Sequence, residues 1–242
     1  MKIYRTGIIG LGKIGVEFED NHMTAYRDCP NTKLVALCDI NESSLFRWRE
    51  VILGRAHFYT DFASMAGTEQ LDIISVCTPP ETHCRIVCGI APYVKAIYCE
   101  KPIAFTLEDA DKMIETCHKH NVILQINHQR RFTMPKFRFS RGIINTGTHA
   151  FDLLRQIFGE CVFVGGKYWT FGKTKVEIEY VPTDEPLFEL DCTHSKERMI
   201  LKGVEHLVGC LDNGSESISS GEEAKLTLSL ALKMDNFWRF HI

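Results

Sequence analysis

The chain is predicted to be α/β: an N-terminal Rossmann-type, doubly wound parallel sheet over residues 1–130, followed by an α+β domain with an open, mainly antiparallel sheet over 131–242. Three observations carry this. Short β-branched runs alternate with amphipathic stretches through the first half, a glycine-rich turn follows the first run, and the character changes after "HQRRFTMP".

The runs "TGIIG", "LVALCD", "DIISVCT", "AIYCE" and "VILQIN" read as buried parallel strands. Between them, "NESSLFRWREVILG" opens on a capping residue and closes on glycine, and "TLEDADKMIETCHKHN" begins with threonine and acids and ends in basic residues, so both predict helices. Beyond Arg131, "HAFDLLRQIFG" predicts one apolar helix, and "VFVGGKYWTF", "TKVEIEYV", "FELDCTH" and "RMILKG" alternate like strands. A closing helix over about 220–239 is expected from Ser219 or Ser220 as cap, with Glu222 and Glu223 in its first turn.

Composition excludes several classes. Apolar residues are 45% and charged residues 24%, and no run approaches the length of a membrane span. "MKIYRTGIIGLGKIG" runs into glycines without the pattern of a cleavable leader, so a cytoplasmic protein is expected. Net charge is -3 with basic residues dispersed, which gives no footprint for nucleic acid. The ten cysteines sit mostly in apolar runs, no C-x-x-C occurs, and Cys84 and Cys88 have no neighbouring ligands, so reduced core thiols and no metal are expected.

"GIIGLGKIG" places Gly10, Gly12 and Gly15 in G-x-G-x-x-G spacing directly after a predicted strand and opening into a helix. Gly10 permits the turn, Gly12 lets backbone amides approach a pyrophosphate, Gly15 allows close packing of helix on strand, and the helix's positive end faces the phosphates. Asp39, ending "LVALCD", accepts ribose hydroxyls and repels a 2′-phosphate, so NAD is favoured over NADP. Glycines that merely turn the chain, with Asp39 as a helix cap, are the rarer outcome when all these features coincide.

In such a sheet the ligand crevice lies beyond the strands' carboxyl ends, where Thr78, Pro79, Pro80, Glu100, Lys101, Pro102, Asn127 and His128 fall. Pro102 keeps Lys101 out of helical geometry, and Glu100 anchors that turn. Taken alone, Lys101 reads as an ordinary solvated loop cation.

The order of "GIIGLGKIG", "LVALCD", "TPPETH", "CEKP", "NHQRRF" and "NTGTHAFDLL" resembles that of the Gfo/Idh/MocA-type oxidoreductases over most of the chain. The resemblance implies a nucleotide domain, an open-sheet substrate domain, a homo-oligomer (dimer or tetramer), and oxidation or reduction of a carbinol on a sugar, inositol or nucleotide sugar. It implies that Lys101 contacts the reacting oxygen and that His149 exchanges its proton, chemistry suited to an ammonium and an imidazole without a metal. Arg131, Asn145 and Asp152 are implied at the substrate. Gly10, Gly12, Lys13, Ile14, Gly15, Asp39, Thr78, Pro79, His83, Glu100, Lys101 and Asn127 are implied at the cofactor.

The chain departs from the pattern twice. Asn145 stands where many relatives have an aspartate; an amide orients His149 but does not offset its charge, as in some nucleotide-sugar 3-dehydrogenases. "FTMPKFRFS" runs almost straight into "RGIINTGTHAFDLL", where relatives have a further helix, a strand and a substrate loop. A catalytically silent dinucleotide-binding regulator of the same fold is the alternative, against which the retained Lys101 and His149 argue.

Overall fold

The computed structural model describes residues 2–52, 56–128, 198–229 and 232, together with the backbone of five strands between 136 and 191. The chain divides into two units, residues 1–128 with 198–242, and residues 129–197.

The first unit is built on six strands: β1 (Tyr4–Ile9), β2 (Thr32–Cys38), β3 (His57–Tyr59), β4 (Ile73–Val76), β5 (Ala96–Cys99) and β6 (Ile123–Ile126). They pair in the order β3-β2-β1-β4-β5-β6, every pair parallel. Parallel strands covered on both faces need unbroken apolar runs, and all four residues of β4 and of β5 are buried. The order reverses between β1 and β4, which opens a crevice at their carboxyl ends.

Helices α1 (His22–Asp28), α2 (Glu42–Ile52), α3 (Phe62–Glu69), α4 (His83–Ile90) and α5 (Leu107–Lys119) connect the strands. The cap expected on α5 is present: the Thr106 hydroxyl accepts the Asp109 N–H at 3.1 Å, with Glu108 and Asp109 in the first turn and His118 and Lys119 in the last. Ile86, Val87 and Ile90 of α4, and Ala110, Met113, Ile114 and Cys117 of α5, bury the 3.6-residue stripe that specifies each helix.

The glycine loop does not open into a long helix. Lys13–Glu17 forms a single π-turn, closed by Phe18 N–H to Lys13 O at 2.8 Å, and α1 begins only at His22. The reason lies at Asn21. Its side chain accepts the Thr24 N–H at 2.8 Å while the Thr24 hydroxyl accepts the Asn21 N–H, a reciprocal cap that starts a separate helix.

The sequence-based boundary also needs correction. Residues 198–242, expected in the second domain, group with the first. "RMILKG" is not a strand but the start of α6 (Met199–Asn213), whose buried Ile200, Val204, Leu207 and Val208 recur at helical spacing. Six residues are too few to separate the two periodicities, whereas fifteen suffice. The Asp20 carboxylate accepts the Ile200 N–H at 2.9 Å, capping α6 from outside it, and the Arg198 guanidinium reaches Asp28 and the Thr24 hydroxyl of α1.

Residues 217–220 then run beside β6. Ile126 N–H donates to Ser219 O at 2.8 Å, the Ser219 hydroxyl returns a bond to Ile126 O at 2.7 Å, and Gln125, fully buried, bonds Ser217 and Gly203 O. An otherwise open sheet edge is thereby covered. Helix α7 (221–229), within the expected closing helix, adds Ala224 and Leu228 to the core.

The second unit contains β7 (Lys136–Phe139), β8 (Cys161–Gly165), β9 (Tyr168–Phe171), β10 (Thr174–Tyr180) and β11 (Phe188–Asp191) in the order β11-β7-β10-β9-β8. The β11·β7, β10·β9 and β8·β9 pairs are antiparallel and β10·β7 is parallel, an open and mainly antiparallel sheet as expected. The strands β3 and β7 carry no sequence expectation. Among the described residues, no helix is long and apolar enough to cross a membrane.

Candidate functional site

The glycine loop is shaped by what its glycines lack. Gly10 has φ +95°, and a Cβ there would lie 2.7 Å from the Cys77 carbonyl carbon and oxygen. A Cβ on Gly15 would run into the Gly10 carbonyl oxygen. At Gly12, which is exposed, a Cβ would meet nothing within 4 Å, so the loop opens onto free space at the switch point between β1 and β4. Room beside that backbone is what a pyrophosphate requires, and the residues present fit a dinucleotide.

Asp39 follows β2 and braces this loop. Its Oδ2 accepts the Leu11 N–H at 2.7 Å and its Oδ1 accepts the Asn41 N–H at 2.8 Å. Each oxygen keeps a second acceptor site, the set that vicinal ribose hydroxyls need, and the carboxylate's charge disfavours a 2′-phosphate. Lys13 is exposed and Ile14 half-buried on the same loop, while Thr78 and Pro79 leave β4 beside Gly10.

Lys101 leaves β5 exposed, and its peptide bond to Pro102 is cis. The residue before it faces the other way. Glu100 is 8% exposed, and its Oε1 accepts the Asn127 Nδ2–H at 2.6 Å and the His22 Nε2–H at 3.0 Å, with Oε2 3.3 Å from the Lys101 amide nitrogen. Burial pushes the Glu100 carboxyl up, but the bonds from His22, Asn127 and the Lys101 N–H hold it below its ordinary value.

The network continues inwards from both partners. The Tyr98 hydroxyl donates to Asn127 Oδ1 at 2.7 Å; on the other side, His22 Nδ1 lies 2.8 Å from Ser75 Oγ, itself 2.6 Å from the Tyr26 hydroxyl. With the His22 proton on Nε2, Tyr26 donates to Ser75, Ser75 to His22 and His22 to Glu100, so every member is satisfied. Tyr98 stacks edge-on to His22 with ring centroids 4.8 Å apart. Burial first, then the Glu100 charge, raises the Tyr98 phenol far above its usual range, so it stays a donor.

His83 is fully buried on α4. Its Nε2 lies 2.9 Å from Thr78 O, and its Nδ1 3.1 Å from Pro102 O and 3.2 Å from Ile103 O. The polar atoms of His83, Glu100 and Asn127 are therefore engaged with the protein itself, whereas Gly12, Lys13, Pro79 and Lys101 are exposed. Arg131, Asn145, His149 and Asp152 lie outside the described residues.

His22, Ser75, Tyr26 and Tyr98 carry no sequence expectation. A serine and a tyrosine inside the apolar runs "DIISVCT" and "AIYCE" were the available signals, since a buried polar side chain needs a partner.

The sequence profile of the oxidoreductase family with an NAD-binding Rossmann fold (Gfo/Idh/MocA) matches residues 4–128, more than half of the chain. Myo-inositol 2-dehydrogenase of Thermotoga maritima is 33% identical over 144 residues, 60% of this chain and 41% of that protein. D-apiose dehydrogenase of Paraburkholderia graminis is 33% identical over 132 residues, 54% and 34% respectively. The chain thus spans less than half the length of these two relatives. Scyllo-inositol dehydrogenase of Lactobacillus casei, solved with NAD(H) and scyllo-inositol, superposes with a TM-score of 0.66 at 14% identity, over 96% of this chain and 95% of that one. The WlbA dehydrogenase of Bordetella pertussis, solved with NADH and UDP-GlcNAcA, gives 0.61 at 17% identity over 95% and 94%. At these identities the structural likeness speaks for the fold.

Proposed function

The chain belongs to the oxidoreductase family with an NAD-binding Rossmann fold, and from that premise we propose that it exchanges hydride between NAD and a carbinol or ketone carbon of a sugar, inositol or nucleotide sugar. One observation carries the reading: a glycine loop open on its outer side and an exposed lysine with an anchored neighbour stand at the carboxyl ends of one parallel sheet. Bound NAD supplies the two-electron acceptor or donor.

Gly10, Gly12 and Gly15 hold the loop for the pyrophosphate, and Asp39 takes the ribose hydroxyls and selects NAD over NADP. The Lys101 ammonium hydrogen-bonds the reacting oxygen and stabilises negative charge developing on it. His149 takes up or returns the proton of that oxygen, with Asn145 orienting its ring, and Arg131 and Asp152 bind neighbouring substrate hydroxyls. His83, Glu100 and Asn127 act from within the protein. A cytoplasmic homo-oligomer without nucleic-acid or membrane partners completes the proposal.

The test is NADH formation in the presence of NAD and, in turn, myo-inositol, scyllo-inositol, D-apiose and UDP-GlcNAcA. Turnover of at least one is expected, with Lys101→Met lowering kcat by about 100-fold or more. Undiminished NADH binding with no turnover on any polyol or sugar, and no change on replacing Lys101, establishes instead a silent dinucleotide-binding protein.

A further inference from the structure

We propose that His22 and His83 are positioning residues for Lys101, one acting on the residue before it and the other on the residues after it. The inference rests on the dehydrogenase reading for its functional meaning and on geometry for its substance.

Lys101 is exposed. Its direction is set by its neighbours. On the amino side, the Glu100 carboxylate is turned into the protein and accepts from His22 Nε2 at 3.0 Å. On the carboxyl side, the Pro102 and Ile103 carbonyls lie 3.1 and 3.2 Å from His83 Nδ1. Both rings are fully buried, and they come from different helices, α1 and α4. His83 Nε2 lies 2.9 Å from Thr78 O at the end of β4; a neutral ring has one N–H, and with it on Nδ1 the ring donates to the lysine loop.

Stability alone is a weak reason for this arrangement, because an apolar side chain of similar volume fills a core at no desolvation cost. What two such anchors fix is orientation. Glu100 is buried where Lys101 is exposed, and a ring nitrogen facing the carbonyls at 102 and 103 restrains the turn on the other side of the lysine. A misplacement of about 1 Å at a reacting group costs about 100-fold in rate.

The test uses His22→Leu and His83→Leu, each alone and combined with Lys101→Met. Expected are a fall in kcat of about tenfold or more for each single variant, an NADH dissociation constant within about threefold of wild type, and a further loss below about threefold once Lys101 is gone. His22→Gln, which keeps a donor towards Glu100, restores kcat to within about threefold. A substrate-independent readout runs beside these: the NMR signal of reductively 13C-methylated Lys101, assigned by its disappearance in Lys101→Arg, shifts or splits in both histidine variants while the other lysine signals stay. Should a leucine variant fail to fold, His22→Asn, whose shorter amide falls short of Glu100, and His83→Asn give the same NMR comparison, with His22→Gln as the variant whose Lys101 signal stays in place. An unmoved Lys101 signal, or costs that simply add to that of Lys101→Met, overturns the proposal. If wild type turns over no polyol or sugar, the dehydrogenase reading fails while the NMR comparison still decides positioning.

Discussion

The two halves of the parallel sheet prepare their crevice by opposite means. On the β1–β2 side the shape comes from missing side chains: Gly10 and Gly15 touch neighbouring backbone where a Cβ has no room. On the β4–β6 side it comes from side chains drawn inwards, with His22, Glu100, Asn127 and Tyr98 joined in one buried set of hydrogen bonds. A surface made by backbone depends on a single permitted residue type at each point. A surface made by a buried network depends on partners that meet only after folding.

The sharpest way to break this contrast is within the glycine loop itself. Gly10→Ala combines positive φ with a clash against Cys77, and is expected to cost about 3 kcal/mol of stability and to abolish measurable NADH binding. Gly12→Ala meets nothing in the protein, so its melting temperature should match or slightly exceed wild type while NADH affinity falls about tenfold or more. Calorimetric melting paired with NADH fluorescence titration separates the two. Equal destabilisation by both substitutions defeats the claim that Gly12 faces the ligand.

Asp39 joins the two means, being a side chain that accepts Leu11 and Asn41 backbone N–H groups. Asp39→Ala is expected to weaken NAD about tenfold and NADP much less, narrowing the preference between them, as read by parallel titrations with both cofactors. An unchanged NAD-to-NADP ratio removes Asp39 from the ribose.

Legibility followed the same division. The strands "LVALCD", "DIISVCT" and "AIYCE", the capped helix α5 and the glycine loop were readable because each is a local rule: period, cap or steric exclusion. His22 was not, since its partner Glu100 lies 78 residues away and nothing local marks a first-turn histidine. His83 is placed at the cofactor by the family resemblance alone; the partners of its buried ring, Thr78 O and the Pro102 and Ile103 carbonyls, come from segments that no local pattern joins. "RMILKG" was misread because only the longer run to Asn213 shows helical spacing. The three-residue β3 falls below the length at which alternation can be detected.

The smallest expected effect sharpens the network side. Glu100→Gln keeps an acceptor for His22 but loses the charge, and should cost about 1–2 kcal/mol near neutral pH. Because the folded carboxyl is held below its unfolded value, its stabilisation is fully present above the ordinary carboxylate range and is lost as pH falls through the lowered value. The gap between wild type and Glu100→Gln, followed by melting at successive pH, should therefore close below about pH 4. A gap that widens on acidification means that the carboxylate is not the stabilised form.

The bond between Ile126 N–H and Ser219 O has a bearing on how this protein is made. A ribosome completes β6 long before residue 219 emerges, so the nucleotide-binding half spends that interval with an unsatisfied border strand and without α6. Its assembly order is nested in the sequence rather than consecutive: residues 129–197 are synthesised before the segment that completes the first unit. Chain-growth intermediates halted just past His128 are the stage at which a chaperone has an exposed strand to guard.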